Sequence, residues 1–543
     1  MMNGLSQKRY LELPLPTEDD PRSDQQRILD SLAAAGVEER VHMPVHILRK
    51  LYPLLDNAKW KITVSLAWNG ENWEMVEIEE GDTTAQHYGL AVDLGSTTVV
   101  ARLLDCNSGE ILKEVSCFNK QIQWGTDILS RIFYCKDNRE KLEEVRRATV
   151  ESICECMDKL DASLEMQGTS SEQKSENNGV SESGDDRGAK NAAKKARTIS
   201  QSALSMVIAG NTTMIHFLLG MDAFCVFYTP HAVHADRPGF LLARDLDIPL
   251  KGYVYCYPAK SNYLGGDIIS GMIDTELYKK NEISVFFDIG TNGELVIGNK
   301  EFLLCGAGAA GPALEGGVVR TGMRADIGAV DEVKIRDGNI FVHVIGNSAP
   351  QGICGSGIID LIAELFLEGW IDIRGKLSPE KSPLIQERDN QLCVEYAPGL
   401  YFYQKDIDEF IRTKSAAHTM VEIMLRESGL ELSQADRFYV AGAFGKHVSK
   451  ESAITIGMYP DMDRDHIINA GNSSLEGAQK LLLNRSLLTD IDQILEEMVY
   501  IQFAEVEDLL ELMVEAQALP HTYYKRYPTV MEKLKEMQKI FKK

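Results

Sequence analysis

The stretch YGLAVDLGSTTVVARLL (88–104) places Asp-x-Gly-Ser between two apolar runs. The stretch ISVFFDIGTNGELVIGN (283–299) repeats this arrangement with Asp-x-Gly-Thr much later in the chain. Each copy predicts a buried strand, a tight glycine turn and a second strand, and the residues that follow predict a third strand. Because the order is the same in both copies, the sequence predicts two duplicated lobes, each containing three antiparallel strands.

The residue types at the two turns suit a phosphate group. Gly95 and Gly290 lack the Cβ atom that would keep phosphate away from the backbone. Polar groups on the next residues can hydrogen-bond phosphoryl oxygens; they are Ser96, Thr97 and Thr98 in the first copy, and Thr291 and Asn292 in the second. Asp93 and Asp288 would repel phosphate, so we expect them to hold Mg²⁺ through water. Two opposed loops would grip a polyphosphate from both sides and couple lobe closure to the nucleotide.

A single Asp-x-Gly-Ser/Thr is more often a polar hairpin turn, and the duplication is what favours a phosphate site here. The sequence contains no G-x-x-x-x-G-K-[ST] loop, since the nearest string, AGAFGKHVS, has the wrong spacing. The stretch RFYVAGAFGKH (437–447) predicts a strand that runs into a glycine turn. A base or ribose could lie on the bare backbone of Gly442, Ala443 and Gly445.

Three other small-residue stretches have two interpretations each. CGAGAAGPALEGG (305–317) is a glycine-dense loop, and such loops are more often plain turns than nucleotide contacts. AGNTTMIHFLLG (209–220) and GNSSLEGAQKLLL (471–483) each predict a polar turn that opens a helix. Their polar residues are explained either by N-capping or by a close crossing of helices.

Composition limits the partners and the compartment. The protein has a net charge of −24 over 543 residues, which repels the phosphate backbones of nucleic acids and the headgroups of anionic lipids. We therefore expect neither nucleic-acid nor membrane binding. The ten cysteines are scattered without a Cys-x-x-Cys, which is typical of a reduced cytoplasmic protein. Cys154 and Cys156 are either a metal or redox pair or, as we favour, two faces of one amphipathic helix. No secretory signal or membrane-spanning run is present in the sequence.

Changes in pattern along the chain predict its domains. Residues 1–21 are expected to be an extended lead-in, and residues 22–86 a small α/β domain whose hairpin turns at Asn69-Gly70. Residues 87–280 are expected to form the first lobe, with a low-complexity, disordered insertion at 166–198. Residues 281–543 are expected to form the second lobe and C-terminal helices, including a long amphipathic helix that ends at Pro520.

The set VDLGSTT, FDIGTNGE and VAGAFG, in that order, resembles the phosphate-1, phosphate-2 and adenosine motifs of the actin/sugar-kinase/heat-shock-chaperone ATPase superfamily. The helices that open at Gly210 and Gly471 look like its two connecting helices. More specifically, AGNTTMIHFLLG, YLGGDIISGM, GICGSGIIDLIAEL and AGAFGKHV look like strings of the reductive activators of corrinoid proteins. This resemblance extends over residues 8–525.

The resemblance implies an α/β fold with two facing ribonuclease-H-like lobes after a small α/β domain. It also implies an ATPase with ATP and Mg²⁺ as cofactors, which reduces a Co(II) corrinoid to Co(I) on a partner corrinoid protein of a methyltransferase system in an anaerobe. Asp93 and Asp288 would be the catalytic and metal-binding residues. The nucleotide-binding residues would be Gly95, Ser96, Thr97, Thr98, Gly290, Thr291, Asn292, Gly442, Ala443 and Gly445. A homodimer is one option for the assembly.

The sequence departs from this family at one point. Members carry a ferredoxin-type iron–sulfur module with clustered cysteines, and no such cluster is present in this sequence. The segment KRYLELPLPTEDDPRSDQQRIL resembles the one that follows that module. We therefore expect no iron–sulfur cluster in this chain and favour a separate, ferredoxin-like electron donor. A truncated sequence, and an ATPase that remodels its partner without carrying electrons, stay open.

Two alternatives belong to other classes of protein. A small-molecule kinase of the same superfamily would need a carboxylate for the substrate hydroxyl, and Asp267 in LGGDIISG is the best candidate. Asp267 is otherwise an ordinary acidic residue at a helix N-terminus. A chaperone-like module would bind nucleotide and a partner without any redox role. The separate unit that precedes the first Asp-x-Gly disfavours a sugar kinase.

Overall fold

The computed structural model describes residues 3–125, 127–172, 198–228, 231–290, 293–308, 319–442, 447–503 and 506–541. It divides the chain into one unit of residues 1–274 and 474–492, and a second unit of residues 275–473 and 493–543. The predicted insertion at 166–198 lies mostly outside the described residues. So does most of the glycine-dense loop at 305–317. None of the described helices is both long and apolar enough to cross a membrane.

The N-terminal segment forms a four-stranded sheet with the strand order β1-β3-β4-β2. Its elements are β1 (Ser6–Glu12), α1 (Asp24–Ala34), β2 (Val41–His42), α2 (Val45–Leu48), α3 (Leu51–Asn57), β3 (Lys61–Trp68) and β4 (Trp73–Glu80). The predicted hairpin is present, because β3 and β4 are antiparallel and Gly70 adopts a φ of +106° at the turn. Strand β1 pairs with β3, so part of the expected lead-in belongs to this sheet.

The first Asp-x-Gly follows the leading strand of a six-stranded sheet ordered β7-β6-β5-β8-β10-β9. The elements of this part are β5 (Tyr88–Leu94), β6 (Thr98–Asp105), β7 (Ile111–Phe118), α4 (Ile128–Cys135), α5 (Arg139–Glu172), β8 (Ser205–Gly210), α6 (Thr212–Leu218), β9 (Gly239–Leu242), β10 (Tyr253–Cys256) and α7 (Gly266–Thr275). Strands β5, β6 and β7 are antiparallel neighbours, and β8 and β10 extend the sheet in parallel. This is the strand order of a ribonuclease-H-like fold.

The second unit repeats that order in a sheet arranged β21-β20-β11-β12-β13-β22. The remaining elements of the chain are β11 (Ser284–Ile289), β12 (Gly293–Gly298), β13 (Leu303–Gly308), β14 (Ala329–Arg336), β15 (Asn339–Val344), β16 (Gly352–Ile353), α8 (Gly355–Leu367), β17 (Ile385–Arg388), β18 (Gln391–Ala397), β19 (Leu400–Tyr403), α9 (Gln404–Glu427), β20 (Arg437–Ala441), α10 (Lys450–Thr455), β21 (Ile467–Gly471), α11 (Ser473–Leu483), α12 (Leu487–Glu497), β22 (Met498–Tyr500), α13 (Leu509–Glu515) and α14 (Pro528–Phe541). Strands β11, β12 and β13 are antiparallel, and β20 and β21 continue in parallel. The predicted duplication is confirmed.

The structure differs from the expected C-terminal part in two ways. Residues 474–492 belong to the first unit, although the predicted boundary assigned them to the second lobe. The prediction of one long helix before Pro520 is wrong, because α12 ends at Glu497 and α13 begins only at Leu509. Between these helices, Met498 of β22 pairs in parallel with Leu303 of β13. The edge of the second sheet thus supplies backbone partners that an amphipathic pattern cannot reveal.

Helix α11 crosses α7 at Gly477. A Cβ atom on Gly477 would lie 1.9 Å from the carbonyl oxygen of Ser270. The Ser270 hydroxyl donates to the carbonyl of Ser474 over 2.7 Å, which fastens the crossing. The close approach predicted for the small residues of 471–483 is therefore made with α7. At the other candidate helix, α6, the Asn211 side chain accepts from the Met214 N–H at 2.9 Å, so N-capping explains that motif.

Replacing Gly477 by alanine is expected to destabilise the first unit. Alanine would by itself favour a helix, but the nearest atom to its methyl group is a backbone oxygen, and α7 or α11 must shift to make room. We expect a net loss of about 1–3 kcal/mol in the free energy of unfolding, measured by urea denaturation. Glu496→Ala, at an exposed position of α12, is the control and should leave unfolding unchanged. A Gly477→Ala protein with the original midpoint would contradict the assigned crossing.

Candidate functional site

The first predicted phosphate loop joins β5 to β6. Asp93, the penultimate residue of β5, lies opposite Val100 of β6 and beside Ala209 of β8. A Cβ atom on Gly95 would lie 2.4 Å from the carbonyl oxygen of Thr98, so only glycine permits a turn this close. The residues Gly95, Ser96, Thr97 and Thr98 are all partly exposed. The loop therefore presents polar groups to solvent at the end of a buried strand, as predicted.

Two residues that the sequence did not point to hold this loop from behind. The Asn119 side-chain amide donates to the carbonyl of Gly95 over 2.9 Å, and the Asn119 backbone N–H donates to the carbonyl of Thr97 over 2.9 Å. Arg131 donates from Nη1 to the carbonyl of Ser96 over 2.6 Å. Because three successive carbonyl oxygens accept bonds from the protein, the groups that would repel an anion are already engaged.

The Arg131 guanidinium is fully buried, which lowers its pKa to about 10. It also donates to the carbonyl of Gly125 and to the side chain of Gln121. A buried cation with this many acceptors is a rigid support. The sequence distance from the loop explains why periodicity and motif spacing could not identify Arg131.

Two carboxylates come together at the end of this loop. The Oδ1 atom of Asp93 accepts from the Ser474 hydroxyl over 3.0 Å. Asp267 lies in the first turn of α7, and its Oδ1 accepts from the N–H of Ile268 over 2.9 Å. Burial, and then the charge of Asp93, raise the pKa of Asp267 to about 6. A divalent cation would relieve the repulsion between these hard oxygen ligands, so the pair fits Mg²⁺.

The second predicted loop begins at the end of β11. Asp288 lies opposite Glu294 of β12 and beside Ala441 of β20. Gly442, with a φ of +88°, approaches so closely that a Cβ atom there would lie 2.8 Å from Oδ1 of Asp288. The fold thus brings the start of the adenosine-like turn to the Asp288 carboxylate. Gly290 is partly exposed beside them.

Four candidate residues lie outside the part of the chain that the structure describes. They are Thr291, Asn292, Ala443 and Gly445. Their assignment to phosphate or adenosine stays a prediction from the sequence. Of their described neighbours, Gly290 follows the end of β11 and Gly442 lies close to Asp288.

A separate buried cluster in the second unit contains His418, Glu422 and His521. The Tyr523 backbone N–H donates to Nδ1 of His521 over 3.0 Å, and burial lowers the pKa of this histidine to about 4. The neutral ring must therefore carry its proton on Nε2, which lies 4.0 Å from Glu422 Oε2. A donor faces an acceptor there, and the tautomer does not suit a metal ion. Arg526 pairs with the other Glu422 oxygen at 2.8 Å.

Comparison with known families accounts for nearly the whole chain. The model of the RACo linker region matches residues 1–85, and that of the RACo middle region matches residues 88–174 and 185–280. The model described as the C-terminal domain of RACo, the ASKHA domain, matches residues 282–531. The chain belongs to the family of reductive activators of corrinoid proteins. The resemblance stated for the sequence is thereby confirmed, together with the actin-like fold class.

Individual relatives agree with this family. The chain is 30% identical over 416 residues to the corrinoid activation enzyme RamQ of Eubacterium limosum, in an alignment that covers 73% of this chain and 64% of that protein. It is 27% identical over 296 residues to the [Co(II) methylated amine-specific corrinoid protein] reductase of Methanosarcina barkeri, covering 49% of this chain and 52% of that one. The alignments thus span between half and two thirds of these curated relatives.

A solved structure of a reductive activator for a corrinoid, iron–sulfur protein is similar over 97% of this chain and 81% of that one. Its TM-score is 0.83 and its sequence identity is 33%. The ASKHA domain is of an ATPase type, which suggests that the chain binds ATP.

The raised pKa of Asp267 predicts a pH-dependent stability. A carboxyl group whose pKa is higher in the folded chain binds its proton more tightly there, so its ionisation at neutral pH opposes folding. Asp267→Asn removes this charge and should increase the free energy of unfolding at pH 7.5 by about 2–3 kcal/mol, from a shift of roughly two pKa units. The gain should shrink through pH 6 and vanish below about pH 4, where Asp267 is protonated in both states.

Urea unfolding at a series of pH values, without Mg²⁺, measures this difference. Asp137→Asn removes an exposed carboxylate from the same unit and should follow the original pH curve. Parallel curves for Asp267→Asn and the unchanged protein would show that burial and Asp93 do not raise the pKa of Asp267 in the folded chain.

Proposed function

We propose that this protein is an ATPase that activates a corrinoid protein, using ATP hydrolysis to promote one-electron reduction of Co(II) to Co(I) for methyl transfer. The observation that supports this most is the carboxylate pair Asp93 and Asp267 beside a braced glycine loop, in a chain matched along its length by reductive-activator models. A separate electron donor of the ferredoxin type and a cytoplasmic, reducing compartment belong to the same proposal.

In the first unit, Asp93 and Asp267 would hold Mg²⁺, which would neutralise charge on the phosphates. The loop residues Gly95, Ser96, Thr97 and Thr98 would bind phosphoryl oxygens through backbone N–H and hydroxyl groups. Ser474, which donates to Asp93, would fix the orientation of that carboxylate. Burial and the charge of Asp93 raise the pKa of Asp267 to about 6, so a proton would compete with Mg²⁺ for this carboxylate, and a bound cation would keep it ionised.

In the second unit, Asp288 would organise the metal hydration shell. Phosphate would be bound by Gly290, Thr291 and Asn292, and adenosine would lie near Gly442, Ala443 and Gly445. The contact between Gly442 and Asp288 supports these roles, because the turn proposed to bind adenosine then lies against the carboxylate proposed to organise the metal. A larger side chain at 442 would displace either the carboxylate or the strand end.

The names of the relatives support a corrinoid substrate, since one is a corrinoid activation enzyme and another a Co(II) corrinoid protein reductase. Reduction of Co(II) to Co(I) consumes one electron and no atoms of ATP, so hydrolysis must act through conformation. Nucleotide binding would favour a form of the complex in which cobalt is easier to reduce. The gain cannot exceed the difference in nucleotide affinity between the two forms.

A small-molecule kinase is the second candidate, and one observation favours it. Asp267 lies beside the phosphate loop with a pKa near 6, which would also suit the deprotonation of a substrate hydroxyl. Transfer of phosphate to a small molecule in a substrate screen, with no effect of a corrinoid protein on ATP turnover, would favour the kinase.

Substitution of either loop aspartate is expected to abolish ATP turnover. Asp93→Asn and Asp288→Asn should each lower phosphate release from Mg-ATP by about 10²-fold or more, since each removes a charge that organises the metal. Asp137→Asn is the matched control and should keep full turnover. Circular dichroism should report an unchanged fold in all three. Unchanged turnover in Asp93→Asn would overturn the assignment of the first loop.

The proposed activity is tested by an anaerobic assay. The protein is mixed with a reductant, an electron donor and a Co(II) corrinoid protein, and the cobalt absorbance is followed. We expect conversion to Co(I) that requires ATP and fails with Asp93→Asn. Equal reduction with and without ATP would contradict the proposal.

A further inference from the structure

Two buried cysteines lie in contact behind the first phosphate loop. Cys117 is near the end of β7 and Cys156 is on α5, and their Sγ atoms are 3.2 Å apart. Their exposed fractions are 5% and 0%. Cys154 and Cys156 lie on one helix, α5, with Cys156 buried and Cys154 partly exposed, as the favoured interpretation of the sequence predicts. The thiol in contact with Cys156 is instead Cys117, from a strand distant in the sequence. Both are free thiols here.

The surroundings orient these two thiols toward one another. Cys117 Sγ donates to the carbonyl of Ser152 over 3.2 Å, and Cys156 Sγ lies 3.6 Å from the carbonyl of Val99. A disulfide requires a sulfur–sulfur distance of about 2.05 Å, so the sulfurs need to approach by about 1.2 Å. The hydrogen bond from Cys156 lowers the pKa of Cys117, which favours the thiolate on that side of the pair.

The same stretch of chain supports the phosphate loop. Cys117 is two residues before Asn119, whose two hydrogen bonds hold the carbonyls of Gly95 and Thr97. Lys120 donates from its backbone N–H to the Ser152 hydroxyl over 2.9 Å, which links this stretch to α5. If the sulfur atoms of Cys117 and Cys156 move closer together, the segment that carries Asn119 must therefore shift as well.

We propose that Cys117 and Cys156 form a reversible disulfide whose formation displaces Asn119 and weakens nucleotide binding by the loop at 95–98. With hydrogen peroxide as oxidant, the Cys117 thiolate attacks one peroxide oxygen, the O–O bond breaks and a sulfenic acid forms. Cys156 then attacks that sulfur, the S–O bond breaks, and the S–S bond forms. Overall, two thiols lose two electrons and two protons, and peroxide is reduced to two molecules of water.

Thiol counting and mass spectrometry test the disulfide directly. The full-length protein is treated with peroxide, denatured and titrated with a thiol reagent, and we expect two of the ten cysteines to disappear. Peptide mapping should give a Cys117–Cys156 cross-link that dithiothreitol removes. Cys117→Ser and Cys156→Ser should each prevent it. Cys154→Ser, which removes a neighbouring thiol of α5, should leave it intact. Ten remaining thiols, or a cross-link through Cys154, would overturn the disulfide assignment.

Nucleotide affinity tests the link to the loop. Binding of a fluorescent ATP analogue should weaken by about tenfold in the oxidised protein and recover on reduction. Peroxide should have no effect on the affinity of Cys117→Ser. Unchanged affinity in a protein shown to carry the disulfide would overturn the coupling. The predicted effect on nucleotide affinity rests on the proposed function, whereas the predicted disulfide does not. If the reduced protein bound no nucleotide, both the proposed function and the effect on affinity would be refuted. Peptide mapping would still show whether the disulfide forms.

Discussion

The carbonyl oxygen of Thr98 lies 2.4 Å from the position that a Cβ atom of residue 95 would occupy. No side chain can enter that space, so the chain can turn from β5 into β6 only at a glycine. The turn leaves Asp93 at the end of the strand and Ser96 and Thr97 at the surface. A comparable limit holds in the second unit, where Gly442 lies 2.8 Å, measured from its ideal Cβ, from Asp288. A backbone carbonyl at Gly95 and a carboxylate at Gly442 can approach this closely because glycine has no Cβ atom.

Hydrogen bonds from distant residues hold the carbonyl oxygens of the first loop and the Asp93 carboxylate in place. Asn119 and Arg131 donate hydrogen bonds to the loop carbonyls, and the Ser474 hydroxyl donates to one oxygen of Asp93. Asp267 adds a second carboxylate whose pKa is raised by burial and by Asp93, and a cation would relieve the repulsion between the two charges. Packing thus fixes the geometry of the loop, and this repulsion is the reason that we propose a metal-bound phosphate there.

The local part of this arrangement could be predicted from the sequence. Two runs of alternating and apolar residues around Asp-x-Gly were sufficient to predict the antiparallel meanders β5–β7 and β11–β13, because each is built from neighbouring segments. The residues that complete the site come from far away in the chain. Arg131 and Ser474 reach the first loop through the packing of α4 and α11, and no periodicity encodes such distances.

The same reason explains the incorrect expectations. Residues 474–492 join the first unit because Gly477 admits the backbone of α7, and this depends on the other helix as much as on α11. Strand β22 interrupts the expected C-terminal helix because an open edge of β13 was available to pair with it. The contact between Cys117 and Cys156 was not predicted, because β7 and α5 meet only in the folded chain.

Hydrogen exchange with and without Mg-ATP tests most directly whether both Asp-x-Gly loops bind the nucleotide. The account predicts slower exchange of backbone amides at residues 95–98 and also at residues 290–293 when Mg-ATP is present, with both effects reduced in Asp93→Asn. Protection at neither loop, or at one loop alone, would contradict the claim that both Asp-x-Gly turns bind the nucleotide.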